Sequence, residues 1–205
     1  MIKYFQIVFF VIFNLFLFKK KGVFYGDKLR IRGPVKLDIH NDAEMYIGEH
    51  FSLTSSLMLN PLGRNLKSMF RIDKGAKITI GNNVGMSCVS LWAKKRITIG
   101  DNVKLGSGVM LMDSDMHSID YMQRRKSNTD AINAKSKEIV IDNDAFIGTN
   151  SIIMSGVILG QGSVVAAGSL VTKDVPPYAI IGGVPSKVLK YRFNSGLVDK
   201  LNDIK

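Results

Sequence analysis

The chain has 205 residues, of which 46% are hydrophobic, with a formal charge of +11 and a single cysteine. That length holds one domain with a continuous core, and one thiol excludes an internal disulfide and fits a reducing compartment. The positive charge points to an anionic partner such as nucleic acid, lipid headgroups or a phosphorylated cofactor; no helix-turn-helix, zinc-finger or aromatic RNA-binding signature is present, which sets nucleic acid aside.

Residues 2–18 form an almost wholly apolar run followed by Lys19, Lys20 and Lys21. As a helix this run reaches ~25 Å at ~1.5 Å per residue, short of a hydrocarbon core of ~30 Å. No small-residue cleavage site follows, which argues against a removed signal peptide. The lysines favour the cytoplasmic side. Residues 1–30 are therefore expected as a separate segment at the inner face of the cytoplasmic membrane, with contact through residues 1–21, lying outside the core that follows. The alternative is a helix packed on the body or on a neighbouring subunit.

From residue 31 to 191 a six-residue period takes over. Between Val35 and Val103 it slips, with Ile47-Gly48, Leu53, Ile72, Ile78, Ile80-Gly81 and Val84 marking early coils and Met58 to Met69 looping out around Pro61 and Gly63. Counting in sixes from Ile99 then reaches Leu105 and Leu111, and after a gap Ile141, Ile147, Ile153, Leu159, Val165 and Val171. Glycine follows four of these, as Gly100, Gly106, Gly148 and Gly160, and the nineteen glycines of the chain suit tight corners, where φ is often positive. Position five of each hexad is small or β-branched, as in Val103, Val109, Ala145, Ser151, Val157, Ser163 and Ser169. Neither a helix nor a lone strand gives that spacing; short parallel strands stacked in a β-helix do. Cys88 reads as a small buried hydrophobe.

The gap, residues 112–138, is a polar excursion, and the landing after Leu111 is His117 instead of an aliphatic side chain. An imidazole fills a core poorly, so the chain leaves the coil there and presents the ring. A long excursion from a regular fold is a place to look for function. Pro176 and Pro177 stop the winding, and the tail, 192–205, is predicted as a short helix capped by Ser195 with Leu197, Leu201 and Ile204 on one face.

Residues 142–190, with Val171-Thr-Lys-Asp-Val-Pro-Pro177 and Gly183-Val-Pro-Ser-Lys187 in order, resemble the hexapeptide-repeat acyltransferases, most of all the galactoside, maltose and polysaccharide O-acetyltransferase branch. The resemblance covers roughly residues 70–192. It implies an all-β, left-handed parallel β-helix, a homotrimer, acetyl-CoA held between neighbouring β-helices as acyl donor with no metal, and one histidine as general base.

His117 matches that histidine, followed by Asp120 and Arg124 on the acceptor side in the family's spacing. A neutral imidazole suits removal of a proton from an attacking hydroxyl. Asp113 and Asp115 share a side with it on an extended chain and are the candidates to orient the ring. For the cofactor, the resemblance implies Thr149 at the acyl-pantetheine end, its N–H facing the oxyanion; Ala167 on pantetheine; Thr172 and Lys173 nearer the nucleotide; Lys187 and Lys190 toward the phosphates; and Phe146 in place of the frequent tryptophan. Ser87 and Lys95 stand where the galactoside enzymes hold the sugar with an asparagine and an acid. With the apolar N-terminus, this favours a lipid-linked or nucleotide-linked sugar of a surface polysaccharide as acceptor. N-acetylation of an amino-sugar, or a xenobiotic acceptor, uses the same chemistry. A γ-type carbonic anhydrase needs three converging histidines, and His40 and His50 fall coils away from His117; a non-enzymatic β-helical scaffold needs neither the excursion nor the basic tail.

Overall fold

The computed structural model describes residues 2–56, 60, 62 and 66–192, with side chains from residue 7 onward. Short strands stack into three sheets that form the faces of a left-handed β-helical prism. The first face runs through Phe24–Tyr25, Glu44–Ile47, Lys77–Ile80, Arg96–Ile99, Ile139–Ile141 and Ile158–Leu159. The second takes Arg30–Arg32, Ser52–Thr54, Gly85–Ser87, Lys104–Leu105, Phe146–Ile147, Val164–Val165 and the closing hairpin Ala179–Gly183 with Ser186–Tyr191. The third takes Val35–Ile39, Ser68–Ile72, Ser90–Ala93, Met110–Met112, Ile152–Ile153 and Leu170–Val171. Every pairing is parallel except that hairpin.

The aliphatic landings meet in register, Ile80 on Ile99 on Ile141 on Leu159 and Leu91 on Leu111 on Ile153 on Val171, and all are buried. Each fully buried aliphatic side chain stabilises the fold by about 1.5–3 kcal/mol, so the interior column is the main source of cohesion. The fifth positions, Val103, Val109, Ala145, Ser151, Val157, Ser163 and Ser169, are buried at the corners. The early landings Ile47, Leu53, Ile72, Ile78, Ile80 and Val84 are core residues as expected. Met69 belongs to a strand, and the loop before it lies largely outside the described residues. So does the predicted tail helix, from residue 193.

Glycines serve positive-φ corners as expected at Gly108, Gly156 and Gly168 among others, while the hexad glycines are needed for a different reason. Positive φ falls on the later corner residues, among them His50, Asn83, Asn102, Asp144 and Gly162. Gly100, Gly106, Gly148 and Gly160 are instead fixed by close approach of the next coil: a Cβ on Gly106 would stand 2.7 Å from Thr149 N, and one on Gly148 would stand 2.5 Å from Ala167 N. Stacking at the spacing of a parallel ladder leaves no room there.

The N-terminal segment is a helix, α1 (Ile2–Lys20), and its inner face belongs to the core rather than lying outside it. Phe18 is buried in the main cluster, Leu15 and Leu17 pack on that cluster, and Asn14 donates to the carbonyls of Ile31 (3.2 Å) and Gly33 (2.9 Å). The strand Arg30–Arg32 ends its sheet, so its outer edge has no partner strand; α1 covers it and satisfies the carbonyl of Ile31 within the strand and that of Gly33 just after it. Winding starts with Phe24–Tyr25, earlier than the boundary at residue 31. Among the described residues no helix is long and apolar enough to cross a membrane.

Gly148→Ala is expected to lower stability by roughly 1–3 kcal/mol through that clash, and Gly168→Ala, which has φ +72° but open space around it, by only about 1 kcal/mol. Denaturant unfolding of the two variants checks the order; equal losses would show that conformation, not coil approach, governs these glycines.

Candidate active site

The excursion leaves the edge between the third and first faces, between Met112 and Ile139. It folds back on itself as two short helices, α2 (Tyr121–Arg124) and α3 (Ser127–Asn133). Its neck is closed by a bridge between Ser114 and Ser136 and by the hydrogen bond from Asp115 N–H to the Lys135 carbonyl (3.0 Å).

Asp113 anchors the neck and does not touch His117. Its buried carboxylate accepts the backbone N–H groups of Lys94, Lys95 and Arg96 at 2.7, 2.8 and 2.7 Å, locking the previous coil's corner to the root of the excursion. Burial pushes its carboxyl above the ordinary range, against the pull of those three donors. Asp115 also misses the ring: its carbonyl accepts the His117 N–H (2.7 Å) and its side chain points to solvent. The expected orienting roles of both are thereby corrected.

The carboxylate that meets His117 is Asp130 of α3. Its Oδ2 lies 2.6 Å from His117 Nδ1, and its Oδ1 accepts the Ser118 N–H at 2.7 Å. These two contacts, with the hydrogen bond to His117 dominant, hold the Asp130 carboxyl below the ordinary carboxylate value. An ionised carboxylate only accepts, so Nδ1 is the donor in this contact, and in the neutral imidazole that leaves the lone pair on Nε2. The ring side chain is 69% exposed against 16% for Asp130, so the imidazole faces outward while its carboxylate partner is sheltered. Met116, at φ 63°, turns the chain into the left-handed region just before the histidine and sets its direction.

Nothing in the local spacing marks Asp130. It lies 13 residues beyond His117 in a segment without hexad periodicity, and the contact exists because α3 folds back over the neck. Asp120 and Arg124 hold that fold: Asp120 caps α2 through the Met122 N–H (2.8 Å), and Arg124 Nη1 donates to the Ser118 and Ile119 carbonyls (2.7 and 3.1 Å). These hydrogen bonds hold the excursion together. Beside them lies an open polar concavity of about 340 Å³ lined by Ser118, Ile119, Asp120, Gln123, Asn133 and Lys135.

The remaining site residues are divided between two edges of the prism. Lys95, Thr172 and Lys173 lie on the same edge as the excursion, at corners between the third and first faces. Ser87, Thr149 and Ala167 lie at the edge between the second and third faces, with Phe146 and Lys190 in one outward row of the second face through Val164 and Ile180. Ser87 is engaged by the Asn60 side chain, and Lys187 is exposed on the terminal hairpin. One chain therefore does not bring His117 to Thr149.

The second–third edge has an unusual backbone. At the first–second edge the N–H after each glycine is capped by the next coil's side chain: Glu49 by Asn82 (2.8 Å), Asn82 by Asp101 (2.6 Å) and Asp101 by Asn143 (2.7 Å). At the second–third edge the residue stacked beyond Thr149 is Ala167, which offers no acceptor, and among the described residues neither N–H has a protein partner. Two donors in a row, on half-buried Thr149 and exposed Ala167, suit an extended amide-bearing ligand such as pantetheine. His50 is a corner residue at φ 57° and His40 pairs with Asp42 (3.8 Å); among the described residues no three His, Cys, Asp or Glu side chains are grouped to hold a metal.

Asp130→Asn is expected to lower turnover about tenfold or more, since general-base help depends on ring placement, with little change in KM. Because Asp130 is held below its ordinary value, the pair is intact at neutral pH and is lost only as pH falls through that depressed value. Unchanged turnover in the variant would show that Asp130 has no positioning role.

Comparison with known proteins places these features. Residues 138–173 match the family described as the hexapeptide repeat of succinyl-transferase. The "Putative lipopolysaccharide biosynthesis O-acetyl transferase WbbJ" of Escherichia coli K12 is 30% identical over 183 residues, covering 87% of each chain. A chloramphenicol acetyltransferase of Klebsiella aerogenes is 38% identical over 110 residues, 48% of this chain and 52% of its own, so the chain spans about half the length of that relative. A hexapeptide-repeat acetyltransferase of Vibrio cholerae, solved with acetyl coenzyme A, superposes with a TM-score of 0.53 at 30% identity, covering 77% of this chain and 72% of the other.

Proposed function

This chain belongs to the hexapeptide-repeat acetyltransferases, and on that premise we propose that it transfers acetyl from acetyl-CoA to a hydroxyl of a surface-polysaccharide or glycolipid precursor. The His117–Asp130 pair carries the reading: a histidine with a fixed tautomer and an open Nε2 is a general base awaiting a hydroxyl. The likeness along 87% of both chains to a protein named for lipopolysaccharide biosynthesis supports a glycan acceptor.

The acceptor hydroxyl gives its proton to His117 Nε2 as its oxygen attacks the thioester carbonyl. The Thr149 N–H faces the developing oxyanion, where a positioned donor contributes about 3 kcal/mol. Collapse of the tetrahedral species breaks the C–S bond, and the imidazolium returns the proton to the departing sulfur. Asp130 stabilises the imidazolium in the interval. Ala167 extends the donor row along pantetheine, Phe146 flanks it, and Thr172, Lys173, Lys187 and Lys190 serve the nucleotide end, lysine supplying charge without arginine's bidentate fork.

Since His117 and Thr149 occupy different edges of one prism, the reaction needs the edge of one copy against the other edge of a second. A closed ring of three copies gives each site both halves. Lys95 and Ser87 then lie on opposite walls, at the acceptor end.

His117→Ala is expected to reduce acetyl transfer by about two orders of magnitude or more while leaving the assembly intact. Labelled acetyl-CoA offered with lipid-linked sugars, nucleotide-linked sugars, amino-sugars and chloramphenicol reads out both the base and the acceptor. Near wild-type turnover in the variant overturns the mechanism; preference for chloramphenicol or an amine overturns the acceptor class.

A further inference from the structure

Helix α1 is apolar on two faces, and only one of them is used. Asn14 and Phe18 close the end of the prism. On the other side Val8, Phe9, Ile12, Phe13 and Phe16 form an exposed stripe at the three-and-four spacing of one helix face, with the rings of Phe9 and Phe13 stacked at 5.8 Å. A stripe of that size is not left to water without a partner.

The charges beside it say which partner. Lys19, Lys20 and Lys21 follow the stripe directly, all exposed, and α1 contains no acidic residue. Lys20 and Lys21 open onto a concavity of about 510 Å³ shared with Phe24, His40, Asn41 and Ala43, whose lining holds no carboxylate; Asp42 stands nearby, turned to His40. Phe24, 62% exposed and stacked on Tyr46 at 5.0 Å, extends the apolar surface past the lysines. A second copy of this chain would set lysine cluster against lysine cluster on a protein already at +11.

We propose that α1 and this basic concavity dock the protein on an anionic phospholipid bilayer, the phenylalanine stripe entering the acyl–headgroup boundary and the lysines seating lipid phosphates. α1 lies in the interface without crossing it because its inner face is held on the coil by Phe18 and Asn14, and the β-helix is thereby held rigidly at the membrane. Docking needs no turnover, so its failure and the failure of the acetyl-transfer reading are separable: activity on a water-soluble acceptor reports only the second.

The test uses the full chain in co-sedimentation with vesicles of phosphatidylcholine alone or with phosphatidylglycerol added. Binding is expected to the anionic vesicles, to fall steeply with salt, and to weaken on the order of a hundredfold when Lys19, Lys20 and Lys21 are all replaced by serine. Phe9→Ser with Phe13→Ser is expected to abolish it while the melting temperature and activity on a soluble acceptor stay unchanged, since both rings point away from the core. Three results overturn the proposal: no binding to either vesicle, equal binding to both, or a change in oligomer size with the phenylalanine variant and no change in vesicle binding, which would make the stripe an interface between copies.

Discussion

Everything in this protein depends on the closeness with which one coil lies on the next. Backbone N–H groups donate to carbonyls a full coil away, as Gly100 does to Ile141 and Gly148 to Val165, each at 2.8 Å. That ladder admits no stray residue along a face, so additional chain can leave only at a corner. The excursion does so, and the fold thereby fixes His117 to an edge before any chemistry is considered. The same closeness strips the side chain from Gly106 and Gly148.

Regularity also decides where the backbone is left unsatisfied. One edge is sealed by an Asx column from Asn82 to Asn143, each side chain capping the coil before it. At the second–third edge no such column is present, and the N–H groups of Thr149 and Ala167 have no partner among the described residues. A solenoid repeats its neighbour interactions, so a corner that lacks such acceptors leaves a row of backbone donors along its edge. The carboxylates divide the work in a similar way. Asp113, buried, ties coil to excursion through three backbone donors, while Asp130, sheltered at the surface, ties the excursion's two helices to the imidazole.

The two ends of the prism are unlike. The C-terminal end is closed by an antiparallel hairpin carrying Lys187 and Lys190, and the N-terminal end by an apolar helix with three lysines at its exit. Positive charge thus sits at both ends around a core that is almost entirely aliphatic.

The β-helix was legible in the sequence because its physics is local and repeated: Ile99, Leu105, Leu111 and their successors occupy equivalent sites, and each repeat confirms the last. His117 was legible as the one landing that breaks the rule. The mate of His117 was not, because Asp130 reaches it through the fold-back of two short helices whose sequence has no period to read, and Asp113 and Asp115, nearer in the chain, point elsewhere. The reason for the hexad glycines was likewise hidden, since close approach is a property of two coils and positive φ a property of one residue. The double role of α1 needed the tertiary structure as well: composition shows an apolar helix followed by lysines, and only the open edge of Arg30–Arg32 decides that Phe18 turns inward and Phe13 outward.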